Sequence, residues 1–524
     1  MTESRHQATR EGRLALKRRS FLGGTAAVGL AAVAGPALWR PGWAAAPKRG
    51  GHLKLGLDGA AATDSLDPAT YTATYIQTVG YQWGNCLVEL DENVEAIPEL
   101  AESWEASKDA TRWVFKLRRG VVFHNGKEMT APDVVYSINH HRGEDSKSGA
   151  KGYLTVIQDI KATDTYEVTF ELNGPYADLP YVISDYHLLI VPEGSDFNRP
   201  IGTGPYVIES FEPGVRTLAV RNPNYWKEGR GWVDSIETLA INDLTARTSA
   251  LQTGQVHFIN RLDPKTVDLL ARAPGVRVID VPSAGHYLFA MRTDTAPYDN
   301  NHVRLALKWG IDRQELVDKI LRGYGRVGND HPIPSFDPMF AADLPQRTYD
   351  PDQAKFHMQK SGYEGPLTLH ISDAAFTGAV DAAQLFREQL AKAGIRLEIV
   401  REPSDGYWSD VWMNKPFYGS YWGGRPTADL MLSVAYRSDA AWNETFWKRP
   451  EFDRLLDEAR GELDLKRRRE LYAEAQRMIW QDGGAIIPMF NNYLFGARAN
   501  VDGFVAVPVL TGLRVGEQLY FTDL

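Results

Sequence analysis

Cysteine is nearly missing from this chain: Cys86 stands alone among 524 residues. One thiol makes no internal disulfide, no thiolate cluster for zinc and no iron–sulfur ligand set. Its expected state is a small buried hydrophobe. Beyond residue 39 there is no apolar run of about 18 residues, the length that spans a bilayer. The sequence also lacks G-x-S-x-G, a P-loop and H-E-x-x-H, and no paired acidic motif stands out. The 12 histidines are scattered, and the neighbours His140 and His141 would point about 100° apart on a helix, too far to share one metal. No enzyme, no protein-held metal and no cofactor is expected. Repeats and low-complexity tracts are absent after the N-terminal segment.

Positive charge is also in deficit. The chain carries −9 overall, yet seven basic and only two acidic residues lie in the first 46, so the remainder carries −14. An acidic body of that kind has no nucleic-acid footprint. What is present is ordinary soluble composition, 43% apolar and 24% charged, with 14 Trp, 23 Tyr and 20 Phe. A chain of 524 residues is too long for one hydrophobic core, so two or three lobes are expected.

The N-terminus reads as an address. Lys17-Arg18-Arg19-Ser20-Phe21-Leu22 has the form of a twin-arginine signal, with Arg18 and Arg19 as the signal residues. A mildly apolar, uncharged stretch rich in Ala and Gly follows to Trp39, and Ala44-Ala45-Ala46 offers a small-residue cleavage site. No cysteine lies near that site for lipid attachment. The expected mature form is free in the periplasm of a Gram-negative cell.

The rest alternates strand and helix patterns, which argues for an α/β architecture. His52–Leu57, Trp113–Leu117, Val121–His124, Tyr166–Leu172, Tyr206–Ile208, Leu218–Val220 and Ile395–Val400 read as strands. Helices are expected at 75–86, at 131–141 with Thr130 as its cap, at 303–321, at 381–393 ending at Gly394, at 450–461 and at 463–481.

Four segments carry a resemblance. They are Pro98–Trp104 with 113–126, Gly202-Thr203-Gly204-Pro205-Tyr206 with Arg221–Trp226, Ala250–Val256, and Val303–Leu307 with Ile311-Asp312-Arg313 and Gly323. In this order they resemble family 5 solute-binding proteins, the peptide and nickel receptors of ABC importers. The resemblance implies a two-lobed periplasmic binding protein of the large, type II, three-domain variety. A hinge joins the lobes and closes them over a ligand. Its implied domains are lobe I at 47–90, 202–295 and 495–524, an inserted domain at 91–201, and lobe II at 296–494. It implies two permease and two ATPase subunits as partners, and an open monomer as resting state. A nickel-chelate receptor, or a signalling or chaperone-like module of the same fold, are the alternatives.

The most informative segment for a ligand is Tyr418–Asp429. Peptide-binding relatives carry here an aspartate for the ligand's amino group. In this chain Arg425 stands at that place and Asp429 follows four residues on, which speaks against an ordinary peptide. Arginine presents a fixed fork of donors that suits a carboxylate or phosphate, so an acidic group on the ligand is expected. The other outcome is that Arg425 pairs with Asp429 or faces solvent. Tyr407, Trp412, Tyr421, Trp422 and Trp442 crowd the same region as candidate cleft aromatics. Ser65, Asp67 and Tyr287 are candidates by family position. The ligand's identity stays open between peptide, opine-like conjugate, sugar conjugate and metal chelate.

Overall fold

The computed structural model describes residues 47–403 and 407–523. Arg18, Arg19 and the cleavage region lie outside them. Two long antiparallel strands, Val276–Met291 and Ala485–Arg498, organise the molecule. They pair from Val276 with Arg498 to Ala290 with Ala485, and the register shifts between Pro282 and His286. On one side of that shift, Val281, Phe495 and Ala497 belong to a core with Leu53, Tyr75 and Trp83. On the other, Leu288–Met291, Met489 and Phe490 belong to a core with Phe386, Phe417 and Trp447. The strands therefore run through both lobes, and the crossing lies near 282–287 and 490–494. These strands extend from one hydrophobic core into the next.

One mixed sheet spans both lobes. In lobe II, Leu397–Arg401, Leu367–Ile371 and Phe417–Trp422 lead to the long pair, and in lobe I Phe258–Ile259, His52–Leu57, Ser235–Ala240, Arg216–Arg221 and Tyr206–Glu212 continue it. The inserted domain builds its own antiparallel sheet in the order Ala101–Ala106, Arg112–Leu117, Glu167–Leu172, Ile157–Asp164. Helix Ala131–His140 packs on it through Val134 and Ile138. The helix starts where Asp133 accepts from the Thr130 backbone N–H at 2.9 Å, a reciprocal cap of about 1 kcal/mol.

Two expectations are corrected. Val121–His124 is not a strand, because Gly120 and Gly126 turn with φ of +72° and +82° and only Val122 bridges to Glu128. The 303–321 helix is two, Asn301–Trp309 and Arg313–Lys319. A side chain at Gly310 would meet Leu390 at 2.4 Å, and Asp312 caps the second helix by accepting from Glu315 N–H at 3.0 Å. Cys86 is fully buried, and its thiol donates to the Asp185 carbonyl at 3.3 Å.

Candidate functional site

Strand Phe417–Trp422 is paired on both sides, which fixes the start of the loop that follows it. A Cβ at Gly424 would lie 3.0 Å from Ala284 and from the Val509 backbone, so the loop passes against the hinge and the C-terminal segment only as glycine. Gly424 N–H also donates to the Tyr493 hydroxyl at 3.3 Å. Thr427 then caps helix Ala428–Ala435 by accepting from Leu430 N–H. This seats Arg425 between lobe II and the hinge.

Arg425 is half-buried. Its Nη1 donates to the loop carbonyls of Gly423 and Gly424 at 3.3 and 3.1 Å, and its guanidinium lies 5.7 Å from the Trp422 ring centre. Among the described residues no carboxylate comes within ion-pair distance of it. Its charge acts on Tyr153 and Tyr186 of the inserted domain and on Tyr493 and His286 of the hinge strands. Burial pushes His286 down to about 4, and Arg425 adds to that fall, so the ring is neutral near pH 7.

Beside Arg425 stands an aromatic wall. Trp408, Tyr421 and Trp442 are 40%, 45% and 48% exposed, with Trp412 and Trp422 behind them. Trp412 and Trp442 meet edge to face at 6.4 Å, Trp442 leans on Trp422 at 6.0 Å, and Trp408 meets Tyr421 at 5.5 Å. The wall hangs on Glu444, a buried carboxylate. It accepts the Trp422 indole N–H at 2.6 Å and the Trp412 indole N–H at 2.8 Å. Burial raises the Glu444 pKa, and Ser420 and the two indoles hold the rise back. On the lobe I side, Arg261 pairs with Asp58 at 3.0 Å, and its charge reaches Tyr421 and Tyr287. Tyr287 stacks on Phe376 at 4.4 Å and 9°, and burial pushes its hydroxyl up to about 12.

The structure thus gathers Arg425, Trp422, Trp442, Trp412, Tyr421 and Tyr287 along one region. Four other candidates have partners within the chain. Asp429 is 1% exposed and pairs with Arg460 at 3.2 Å, not with Arg425. Tyr407 is core, its hydroxyl donating to the Gly419 carbonyl at 2.9 Å. Asp67 caps a short turn through Ala69 N–H and holds the His140 ring at 2.8 Å. Ser65 accepts from Asp67 N–H within the same turn. Glu444, Arg261 and Asp58 carry no sequence signal, because their partners lie 22, 32 and 203 residues away. Among the described residues no group of three or more His, Cys, Asp or Glu is placed to hold a metal ion, and no helix is long and apolar enough to cross a membrane.

Residues 95–444 match the bacterial extracellular solute-binding proteins, family 5 middle region. The chain belongs to this family. It is 25% identical over 465 residues to the glutathione-binding protein of Pectobacterium atrosepticum, covering 85% of this chain and 90% of that one. It is 28% identical over 497 residues to di/tripeptide-binding protein 2 of Pseudomonas aeruginosa, covering 86% and 92%. The ABC transporter substrate-binding protein CtaP of Listeria monocytogenes has the same fold, with a TM-score of 0.81 at 21% identity over 91% of this chain and 100% of that one. The family is one of solute-binding proteins with two lobes, and the long strand pair passes through both of the large cores described above.

Proposed function

We propose that this protein is a periplasmic receptor that takes a small acidic solute, a peptide or peptide-like conjugate, and delivers it to an ABC importer by hinge closure. The observation that carries the acidic class is Arg425. A half-buried guanidinium without a carboxylate partner among the described residues keeps donors for one, and a charge-assisted bond there is worth about 1.5–3 kcal/mol. The aromatic wall supplies apolar surface next to it. A relative that is a glutathione-binding protein fits this class, since glutathione is a tripeptide with two carboxylates. The partners are two permease and two ATPase subunits, and the receptor works as a monomer. Residues 1–46 serve as a twin-arginine signal, removed near Ala46, and the mature form carries no lipid.

A thermal-shift panel of peptides, acidic opines, sugar phosphates and nickel chelates tests this. A ligand of the folded state stabilises it by about 2.7 kcal/mol at one hundred times its Kd. Shifts confined to acidic compounds, and absent with their neutral analogues, are expected. Shifts with neutral peptides or nickel chelates alone contradict the acidic class. Export is tested separately: replacing Arg18 and Arg19 by Lys keeps the product in the cytoplasm if the signal is read correctly.

A further inference from the structure

The lobes also touch away from the hinge. Segment 175–178 of the inserted domain enters a socket on lobe II between helices Pro450–Gly461 and Leu465–Asp482. The Asp178 carboxylate meets the Arg468 guanidinium at 2.6 Å, with the side chains 2% and 9% exposed. Ala177 N–H donates to the Arg460 carbonyl at 2.8 Å. A Cβ at Gly461 would lie 2.5 Å from Pro175, so the approach is as close as glycine permits. Arg460 lies over the Tyr176 ring at 5.4 Å, while Asp429 holds its other side. The segment is tied back to the insert's sheet: the Trp113 indole N–H donates to the Tyr176 carbonyl at 3.0 Å. Moving the insert therefore moves Asp178.

We propose that Asp178 and Arg468, with Arg460 and Tyr176, form a latch that sets the affinity of this receptor for whatever solute it takes, without touching the solute. The inference rests on closure of the lobes as the binding event, not on the class of ligand. When the lobes part, water solvates both charges. When they meet, both charges are buried; Asp178 has Arg468 for its ion partner, and Arg468 has Asp178 besides the Ala459 carbonyl at 3.2 Å. Removing one partner leaves the other buried alone, which penalises the closed state and not the open one. An affinity that depends on the closed fraction falls by the same factor for every ligand. Asp429, at the place expected to contact ligand, acts here as the support of Arg460.

The test uses the exported protein without added solute. Spin labels at Lys161→Cys in the insert and Arg454→Cys in lobe II, both on exposed side chains, report the distance between lobes. Cys86 is buried and stays unlabelled. The expected result is an open majority with a short-distance minority, that minority being reduced about tenfold or more by Arg468→Ala and by Asp178→Asn and partly kept by Arg468→Lys. Asp178→Asn preserves shape and removes only charge, so it answers the question if Arg468→Ala fails to fold. Distance distributions that coincide in the parent and Asp178→Asn overturn the latch, as does a parent that is open throughout. Because no solute is used, this failure is separate from a failure of the acidic-ligand reading.

Discussion

The arginines of the rim and the arginine of the cleft loop have different partners. At the rim, Arg468 meets Asp178 and Arg460 meets Asp429, each guanidinium matched to a carboxylate that is almost fully buried. Beside the long strand pair, Arg425 bonds among the described residues only to carbonyls of its own loop and shares its field with tyrosines and a neutral histidine. Paired charges within the chain hold elements together. A guanidinium left with free donors beside an aromatic wall is equipped for something from outside. The aromatic wall shows the same division on a smaller scale, since Glu444 satisfies the buried indoles while Trp408 and Trp442 keep exposed faces.

The largest effect is expected at the rim. Asp178→Ala strands Arg468 in the closed state at a cost of about 3–5 kcal/mol. Calorimetric titration with two chemically different ligands should show both dissociation constants rising by one common factor. Unequal factors would place Asp178 in contact with solute and break the comparison.

Next comes Glu444→Ala. It leaves two indole N–H groups unpartnered, at about 1–3 kcal/mol each. The urea midpoint should drop and tryptophan emission should shift to the red. An unchanged midpoint would mean the wall is not held by this carboxylate.

Arg425→Ala should cost about 1.5–3 kcal/mol for acidic ligands and almost nothing for their amides, with no change in the urea midpoint. Arg425→Lys should restore part of the loss, since it keeps charge but not the fork. The contrast with Asp178→Ala is the point: one variant changes selectivity, the other only affinity.

The smallest and most gradual effect concerns a third charged region, where Lys227, Arg230 and Arg514 surround Glu89, Glu99 and Glu517. Burial opposes ionisation of Glu517, but Lys227, Arg514 and Arg230 outweigh it and hold its pKa at about 2, below the ordinary 4.5. A carboxyl lowered on folding stabilises the protein above about pH 4.5, and that contribution fades as pH falls toward 2. Melting temperatures of Glu517→Gln should therefore fall less steeply than those of the parent between pH 5 and pH 3. Parallel curves would show that Glu517 contributes no acid sensitivity.

Much of the fold was legible because local chemistry repeats at short range. His52–Leu57 is the strand that its alternation shows, and Pro450–Gly461 is the helix that its first-turn proline and apolar spacing show. Arg425 stood out through the resemblance, because it stands where peptide-binding relatives carry an aspartate. What stayed hidden depends on partners distant in the chain. Asp429 sits four residues from Arg425 yet pairs with Arg460, because helices Ala428–Ala435 and Pro450–Gly461 pack together. Glu444 is an ordinary acidic residue until folding brings Trp412 and Trp422 to it. The passage of the long strands between two cores was not legible, because a strand that does so looks like any other strand.

The most direct test of the account is a calorimetric titration of the parent and Arg425→Ala with an acidic dipeptide and its fully amidated form. The account predicts that the parent prefers the acid by roughly tenfold or more and that Arg425→Ala abolishes the preference while leaving the amide's affinity unchanged. Equal affinity of the parent for both forms, or a preference that survives in Arg425→Ala, would contradict it.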